Sequence, residues 1–310
     1  MADSTTYFSP PMARGIIRVL PLPLKWRLFA LRAYDKMLRM RRSEYLATTY
    51  FGARIYCNLR DLVQFFIFHF GVWEPDVSSV LERNLAPGDV FVDIGANIGY
   101  DTLLGSVRVG STGKIVAIEA SPRTFFLLQR NLEINEISSN VRAVNLAVSE
   151  HPGKISLFEL SESNIGATTT VASRGGTLST SVDGLPLSEI LMPDERARLR
   201  LIKIDVEGAE PGILRHLLRN LSMYPETMDL IVEVSPGDDL PAWVDLFDQL
   251  KAAGFAAYEV QNEYDRAWYM SWRQPSPLRL IETLPKSQKD LFFTRRRVVT
   301  ATAKSARRLI

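Results

Sequence analysis

The chain has 310 residues, of which 46% are hydrophobic and 23% are charged, and its formal net charge is +2. This length and balance predict a folded protein with one large core or two modest ones, and they exclude a wholly disordered chain. The charge is uneven: residues 1–60 carry eleven Lys/Arg against three acids, residues 286–310 carry eight against Asp290 alone, and the middle is acidic.

Cysteine content and hydropathy indicate the compartment. Cys57 is the only cysteine, which excludes an intrachain disulfide and a thiolate metal site. No apolar run reaches the roughly 18 residues that a membrane-spanning helix needs. Residues 1–25 contain prolines and scattered arginines and lack the apolar core of a signal peptide. We therefore predict a cytoplasmic protein.

The first predicted element is a basic amphipathic helix over residues 24–45, where apolar residues recur at spacings of three and four. Two interpretations stay open: the helix lies peripherally on an anionic membrane surface, or it packs on its own domain. The two basic ends could likewise contact a polyanion or simply neutralise the acidic middle. We take residues 1–70 as a basic extension, 71–295 as the main domain and 296–310 as a basic tail.

From residue 89 onward, short apolar runs alternate with amphipathic helical segments. This alternation predicts an α/β fold with a mostly parallel sheet that carries helices on both faces. A hairpin over 154–160 and 178–182 is predicted as an insertion. The predicted sheet strands are 90–94, 114–119, 141–147, 201–206, 229–234, 255–260 and 291–294.

A glycine-containing turn follows the first of these strands. Residues 93–100 read Asp-Ile-Gly-Ala-Asn-Ile-Gly-Tyr, and Glu119 ends the second strand, where an acid can accept hydrogen bonds from ribose hydroxyls. The spacing differs from the G-x-G-x-x-G turn that seats a pyrophosphate at a helix N-terminus. Asp93 would also repel a pyrophosphate but attract an ammonium or sulfonium. The pattern therefore predicts a cationic nucleoside ligand rather than a dinucleotide.

These segments resemble the FkbM family of methyltransferases. Residues 90–100 and 201–210 (Leu-Ile-Lys-Ile-Asp-Val-Glu-Gly-Ala-Glu) are similar to the two signature segments of the family. Residues 116–122 and 131–135 are similar to its second strand and following helix, and Glu233 also matches. The resemblance covers roughly residues 70–260. One departure is the sequence Glu-Ala-Ser-Pro after the second strand, where the family commonly has Glu-Pro.

The resemblance implies a Rossmann-like methyltransferase fold with a seven-stranded sheet whose last strand is antiparallel. It also implies S-adenosylmethionine as the cofactor and methyl transfer to oxygen, often on sugars or natural-product scaffolds. Asp93, Gly95, Asn97 and Gly99 would form the methionine-side loop, Glu119 would hold the ribose, and Ala147 would lie near the adenine. The full set of implied cofactor-binding residues is Asp93, Gly95, Ala96, Asn97, Gly99, Tyr100, Glu119, Ala120 and Ala147.

Four residues are candidates for the chemistry, and each has a structural alternative. Asp205 could act as a general base, or it could cap the following helix. Glu210 shares that ambiguity, because acids in a first helical turn favour the helix dipole. Lys203 lies in an apolar strand and could pair with Asp205 or Glu233, or act in catalysis. Asn164, in a segment that resembles a family loop over the active site, could orient the acceptor hydroxyl or belong to a plain turn.

The expected acceptor is a small molecule or a glycan, and we expect neither a metal nor a nucleic-acid partner. The late aromatic stretch around Tyr264 and Trp268 could shape the acceptor pocket or pack the core. Two other functions stay open. One is a catalytically silent binding module that keeps the fold; the other, an NAD-dependent oxidoreductase, is disfavoured by the glycine spacing and by Asp93.

Overall fold

The structure is a computed structural model. It describes residues 21–41, 43–136, 139–159, 168–169, 177–237, 239–272 and 274–296. The candidate Asn164 lies outside the described residues, as do residues 1–20 and 297–310 of the two basic ends. Among the described helices, none is long and apolar enough to cross a membrane.

The elements follow one another largely in the predicted alternation. The strands are β1 (Tyr45–Thr48), β2 (Arg54–Cys57), β3 (Val90–Ile94), β4 (Lys114–Ile118), β5 (Val141–Val144), β6 (Ala147–Val148), β7 (Gly153–Glu159), β8 (Thr168–Thr169), β9 (Thr177–Leu185), β10 (Leu199–Ile204), β11 (Asp229–Val234), β12 (Ala256–Val260), β13 (Arg279–Ile281) and β14 (Lys289–Thr294). The helices are α1 (Leu24–Arg41), α2 (Leu62–Phe70), α3 (Pro75–Asn84), α4 (Tyr100–Val109), α5 (Pro122–Glu133), α6 (Leu187–Ile190), α7 (Pro193–Ala197), α8 (Glu210–Arg219), α9 (Leu240–Ala252) and α10 (Arg266–Ser271).

Within the described residues, eight strands form the central sheet in the order β13-β12-β14-β11-β10-β3-β4-β5. The five strands from β11 to β5 are parallel to one another, whereas β14 lies antiparallel between β11 and β12. The predicted Rossmann-like sheet with an antiparallel last strand is therefore confirmed. The prediction of seven strands misses β13, whose three residues are mostly exposed and form no apolar run.

Helices cover both faces of this sheet, as the alternation of side chains along β3 shows. Val90 and Val92 contribute to one buried cluster with side chains of α8 and α9. Phe91 points to the opposite face and joins a second cluster with side chains of α3 and α4. Successive side chains of a strand alternate between faces, so this short apolar run is buried on both sides.

The inserted hairpin is also confirmed, because β7 and β9 pair antiparallel, and β6 and β8 complete a small second sheet. The predicted strand over 141–147 is instead divided. β5 ends at Val144, and Ala147 already belongs to the second sheet. Between them the Asn145 side chain donates to the carbonyl oxygens of Glu119 (2.8 Å) and Ala120 (3.0 Å), which turns the chain from one sheet to the other.

Helix α1 packs on the domain through Leu31, Asp35 and Leu38, and it ends at Arg41 rather than at residue 45. The His69 Nε2 atom of α2 lies 3.0 Å from Asp35 Oδ1, so a buried polar contact joins the two helices. These contacts support the packing interpretation for one face of the helix. Its other face exposes Trp26, Phe29 and Met40, and a membrane contact there stays a prediction.

A buried carboxylate joins the edge of the sheet to α7. Glu195 is inaccessible to solvent and accepts hydrogen bonds from Arg142 Nε (2.9 Å) and Met192 N (2.9 Å), while Lys114 Nζ lies 2.9 Å away. Burial alone would raise the pKa of Glu195, but hydrogen bonds from the two cations outweigh it and lower the pKa to about 2. A buried charge of this kind is stable only while it is paired.

We expect Glu195→Gln to lower the free energy of unfolding at pH 7 by about 2 kcal/mol, since hydrogen bonds to a charged group contribute about 1.5–3 kcal/mol. Because folding lowers this pKa, the stabilisation is present above the ordinary value of 4.5 and is lost as the pH falls toward 2. The difference between wild type and variant should therefore shrink below pH 4.5 in urea titrations. The control is the exposed Glu189→Gln on α6, and a difference that does not change with pH would contradict this assignment.

Candidate active site

The parallel register places polar residues side by side at the carboxyl ends of the central strands. Ile118, Ile94 and Ile204 are aligned across β4, β3 and β10. The residues that follow them, Glu119, Gly95 and Asp205, therefore meet at one edge of the sheet. Ile204 also aligns with Val232, so Glu233 of β11 continues the row, and Glu233 pairs with Asp290 of the antiparallel β14. In open α/β sheets this edge is where ligands bind.

The cavity at this edge is lined by one basic residue and several acids. Its wall comprises Leu62, Val63, Trp73, Glu74, Ile94, Gly95, Ala96, Asn97, Ile98, Tyr100, Asp101, Ile118, Glu119, Ala120, Ser121, Leu146, Ala147, Val148, Leu157, Lys203, Asp205, Val206, Glu207, Ala209, Glu233, Tyr264 and Gln288. Seven of the predicted cofactor-binding residues belong to this wall, whereas Asp93 and Gly99 do not. Of the catalytic candidates, Lys203 and Asp205 line it and Glu210 does not.

Gly95 and Gly99 have close neighbours within the protein. Gly95 has φ +83°, and a Cβ there would lie 1.8 Å from the Asp205 carbonyl oxygen. Gly99 has φ +94°, and a Cβ there would lie 2.6 Å from Leu128 Cδ1. These two glycines therefore let the loop pack closely against the end of β10 and against α5. The loop still shapes the cavity through Ala96 and Asn97.

Glu119 joins the two loops that follow β3 and β4. Its Oε2 accepts from the Asn97 N–H (2.9 Å) and its Oε1 accepts from the Ser121 N–H (2.9 Å). Burial raises the pKa of Glu119 to about 7, although both hydrogen bonds oppose that shift. A carboxylate oxygen has two lone pairs, so the predicted ribose contact is compatible with these bonds.

Asp93 lies behind the cavity wall and is buried. Its Oδ2 accepts from the Thr102 hydroxyl at 2.6 Å, and its Oδ1 has no hydrogen-bond partner among the described residues. Burial, followed by the neighbouring Asp101, raises the pKa of Asp93 well above its ordinary value. Asp101 itself lines the cavity and is the acid of this pair that could face a cationic ligand directly.

Lys203 is the buried cation of the site. Its Nζ donates to Asp205 Oδ2 at 2.7 Å and lies 3.3 Å from Asp101 Oδ2. Burial disfavours the charged lysine, but these two carboxylates outweigh it and raise the pKa of Lys203 well above its ordinary value. Of the two predicted partners, Asp205 is correct, whereas Glu233 instead accepts a hydrogen bond from the Gln288 side chain.

Glu210 closes the loop between β10 and α8. Its carboxylate accepts from the Val206 N–H (3.0 Å) and the Gly208 N–H (2.9 Å). These hydrogen bonds give Glu210 a structural role in the loop before α8, and no side chain caps α8 through its N-cap residue, Ala209. This leaves the Asp205 carboxylate bound to Lys203 and facing the cavity.

Another part of the cavity wall contains aromatic rings and a further buried acid, Glu74. Trp73 and Tyr264 stack with ring centroids 5.2 Å apart and planes inclined by 17°. The Tyr264 hydroxyl donates to Glu74 Oε1 at 2.7 Å. Burial, together with the neighbouring Asp290, raises the pKa of Glu74 well above its ordinary value. Tyr264 therefore lines the cavity, whereas Trp268 of the same stretch packs against a buried cluster, and a role in acceptor binding stays a prediction.

The residues present fit S-adenosylmethionine. Leu146, Ala147 and Leu157 give an apolar wall suited to an adenine, and Glu119 stands between that wall and the glycine loop. The acids around Lys203 outnumber it, so a ligand that carries an ammonium and a sulfonium would reduce their repulsion. No group of three or more His, Cys, Asp or Glu side chains in the described part of the chain has the geometry of a metal site.

Glu74 and Asp101 line the cavity, although neither was predicted from the sequence to do so. Asp101 directly follows the glycine motif, and its position in the first turn of α4 is equally typical of an acid that favours the helix dipole. Glu74 precedes α3, far from both signature segments, and only the tertiary fold brings it to Tyr264. No local sequence pattern marks Glu74, because its partner Tyr264 lies 190 positions away in the chain.

Comparisons with known proteins identify a matching family and several similar proteins. Residues 93–256, more than half of the chain, match the profile described as "Methyltransferase FkbM domain". The chain is similar to "Methyltransferase sdnD" of Sordaria araneosa, at 31% identity over 43% of this chain and 61% of that protein. It is also similar to "Methyltransferase 1" of Beauveria bassiana, at 34% identity over 42% of this chain and 59% of that protein.

The chain thus spans about three fifths of the length of these curated relatives. Among solved structures, it is similar to a SAM-dependent O-methyltransferase from Thermotoga maritima, at 15% identity and a TM-score of 0.42, over 82% of this chain and 78% of that one.

We expect Gly95→Ala to weaken S-adenosylhomocysteine binding by at least about tenfold, because displacement of a site by about 1 Å can cost about 10²-fold. The added Cβ cannot coexist with the Asp205 carbonyl oxygen, so the loop must move. Gly52→Ala is the matched control: it has φ +92° and nothing within 4 Å of its Cβ. It should show only the backbone cost of about 1–2 kcal/mol in urea unfolding. Equal binding losses in the two variants would refute the packing argument.

We also expect the affinity for S-adenosylhomocysteine to rise as the pH rises through about 7, where Glu119 ionises. The ionised carboxylate is the better hydrogen-bond acceptor for ribose hydroxyls, so binding below this pKa requires release of a proton. Glu119→Gln should bind more weakly and show a shallower pH dependence in calorimetric titrations from pH 6 to 8. Glu133→Gln, at the end of α5, is the control and should retain the wild-type profile. A Glu119→Gln profile as steep as the wild type would argue against the ribose role.

Proposed function

We propose that this chain, which belongs to the FkbM methyltransferase family, transfers a methyl group from S-adenosylmethionine to a hydroxyl of a sugar or natural-product acceptor. The observation that carries the proposal is the position of Asp205. Asp205 directly follows β10. Its carboxylate lines the cavity beside the glycine loop and accepts a hydrogen bond from Lys203 Nζ at 2.7 Å.

Asp205 is proposed as the general base. When bound, S-adenosylmethionine supplies a methyl group on a positively charged sulfur, which leaves with the electron pair of the broken carbon–sulfur bond. As the acceptor oxygen forms its bond to the methyl carbon, its proton passes to Asp205. A positioned base of this kind contributes typically about 10²–10⁴-fold. Alignment of the two reactants within the cavity would supply much of the remaining acceleration.

Lys203 is proposed as a positioning residue. Its contact with Asp205 Oδ2 fixes the carboxylate and leaves Oδ1 for the acceptor hydroxyl. The contact with Asp101 holds the lysine between two acids, so its charge is balanced within the protein. Removal of Lys203 would therefore disturb both the base and the fold, which makes Asp205 the cleaner position for a test.

The wall formed by Trp73 and Tyr264 supports a ring-shaped, hydroxylated acceptor. Aromatic faces stack against the apolar face of a sugar or a flat scaffold, while Glu74 and Gln288 offer hydrogen bonds at its edge. The two fungal relatives are named only as methyltransferases, so the acceptor class is inferred from this wall.

We expect Asp205→Asn to lower kcat by about 10²–10⁴-fold while the affinity for S-adenosylhomocysteine changes little. The assay is formation of S-adenosylhomocysteine with a panel of sugars, glycosides and hydroxylated natural products, and mass spectrometry locates the added methyl group. Asp248→Asn, an exposed position on α9, is the matched control and should retain wild-type turnover.

Three results would oppose the proposal. Methyl groups found only on nitrogen or carbon would exclude the hydroxyl acceptor, and a fully active Asp205→Asn would exclude the base. A well-folded protein that binds neither S-adenosylmethionine nor S-adenosylhomocysteine would instead support the catalytically silent module.

A further inference from the structure

We propose that the acceptor side of the cavity binds a protonated amine, so that the acceptor is an amine-bearing polyol such as an amino sugar. Glu74 would hold the ammonium, and the stacked pair of Trp73 and Tyr264 would lie against the adjoining ring. This inference rests on the proposed function, since it names the acceptor class for the same site.

The first observation is an unpaired oxygen of a buried acid. Glu74 is 2% exposed and lines the cavity. Its Oε1 accepts from the Tyr264 hydroxyl, whereas its Oε2 has no hydrogen-bond partner in the described part of the chain. Buried polar atoms are nearly always hydrogen-bonded in native proteins. An acid that lines a cavity with one oxygen unsatisfied is therefore expected to meet a donor on a ligand.

The second observation is the backbone of Glu74, which adopts φ +42° in the left-handed region that residues other than glycine rarely occupy. Its N–H donates to the Tyr269 hydroxyl at 2.9 Å, and its carbonyl oxygen accepts from Ser78 N–H at 2.8 Å. The residue is thus fixed on both sides in an unfavourable conformation. Such strain persists where the surrounding structure imposes it, commonly at ligand-binding positions.

The third observation is the charge of the wall. Among the described residues that line the cavity, Lys203 is the only basic one, and it already pairs with Asp101 and Asp205. S-adenosylmethionine carries one net positive charge, from its sulfonium, ammonium and carboxylate. The acids that line the cavity are Glu74, Asp101, Glu119, Asp205, Glu207 and Glu233.

One lysine and one cofactor charge would not balance these six carboxyl groups if all of them were ionised, so a second cationic ligand would favour their ionised forms. A neutral hydroxyl would satisfy the free oxygen of Glu74 but would leave this excess. A phosphorylated or carboxylated acceptor would increase it. An ammonium satisfies both requirements, since it donates to a carboxylate in a charge-assisted hydrogen bond.

The aromatic pair provides a second contact for the same group. Tyr264 and Trp73 lie next to Glu74 in the cavity wall, and a cation near an aromatic face is attracted by the electrons of the ring. The Tyr264 hydroxyl is the donor to Glu74, so the ring and the carboxylate are held in one arrangement. Carboxylate and ring therefore select for a cationic group attached to a ring-shaped acceptor.

The test compares D-glucosamine with D-glucose, which differ by an amine in place of one hydroxyl. Binding of each is measured by calorimetry to the full chain saturated with S-adenosylhomocysteine. We expect the wild type to bind glucosamine at least about tenfold more tightly than glucose, as expected for a buried charge pair. In Glu74→Gln this preference should disappear, because the neutral amide cannot pair with the ammonium. The exposed Glu226→Gln is the matched control and should keep the preference.

Tyr264→Phe provides a second variant in case Glu74→Gln lowers stability. It keeps the aromatic ring but removes the hydrogen bond that positions Glu74, so the preference for glucosamine should decrease. If S-adenosylhomocysteine binds but glucosamine binds no better than glucose, or neither sugar binds, the amine proposal is overturned and the proposed function stands. If S-adenosylhomocysteine fails to bind the well-folded protein, both are overturned together.

Discussion

The site depends on one buried cation. Lys203 lies in the central strand β10, and its Nζ contacts Asp101 of α4 and Asp205, which follows β10. Without that charge, the nearby buried carboxylates would face one another in a medium that screens them poorly. The lysine allows acids from β3, α4 and β10 to converge on one edge of the sheet. It also holds the Asp205 carboxylate through Oδ2.

The part of the site that parallel strands create could be predicted from the sequence. Glu119 and Asp205 each follow an apolar run, and the carboxyl ends of parallel strands meet at one edge, so their proximity follows from the order of the elements. The two signature segments lie on adjacent strands for the same reason. Strand β13, which was not predicted, and strand β5, which ends before Asn145, are short and partly exposed. The hydropathy of a few residues therefore does not predict their bounds.

The other half of the cavity comes from contacts that no local pattern encodes. Glu74 precedes α3, Tyr264 precedes α10, and their hydrogen bond joins residues 190 positions apart. The sequence around Glu74, Trp-Glu-Pro, indicates only a helix start, because proline suits the first helical turn. Glu210 shows the opposite case: its place in a signature segment suggested chemistry, whereas its carboxylate accepts hydrogen bonds from two N–H groups of the loop beside Asp205. A signature segment thus contains residues that line the cavity together with residues that only fix the conformation of its loops.

The same acids link stability to binding. Burial raises the pKa of Glu74, Asp93 and Glu119, so in the absence of a ligand the folded protein holds protons that the unfolded chain would release above its ordinary carboxyl pKa. For these groups the free energy of unfolding therefore falls as the pH rises from about 4.5 toward their raised pKa values. A cationic ligand favours the ionised forms and reverses that loss. A cavity rich in carboxyl groups thus lowers the free energy of unfolding of the ligand-free protein. Positive charge in the cavity offsets this loss. This is the physical reason to expect cationic ligands on both sides of the cavity.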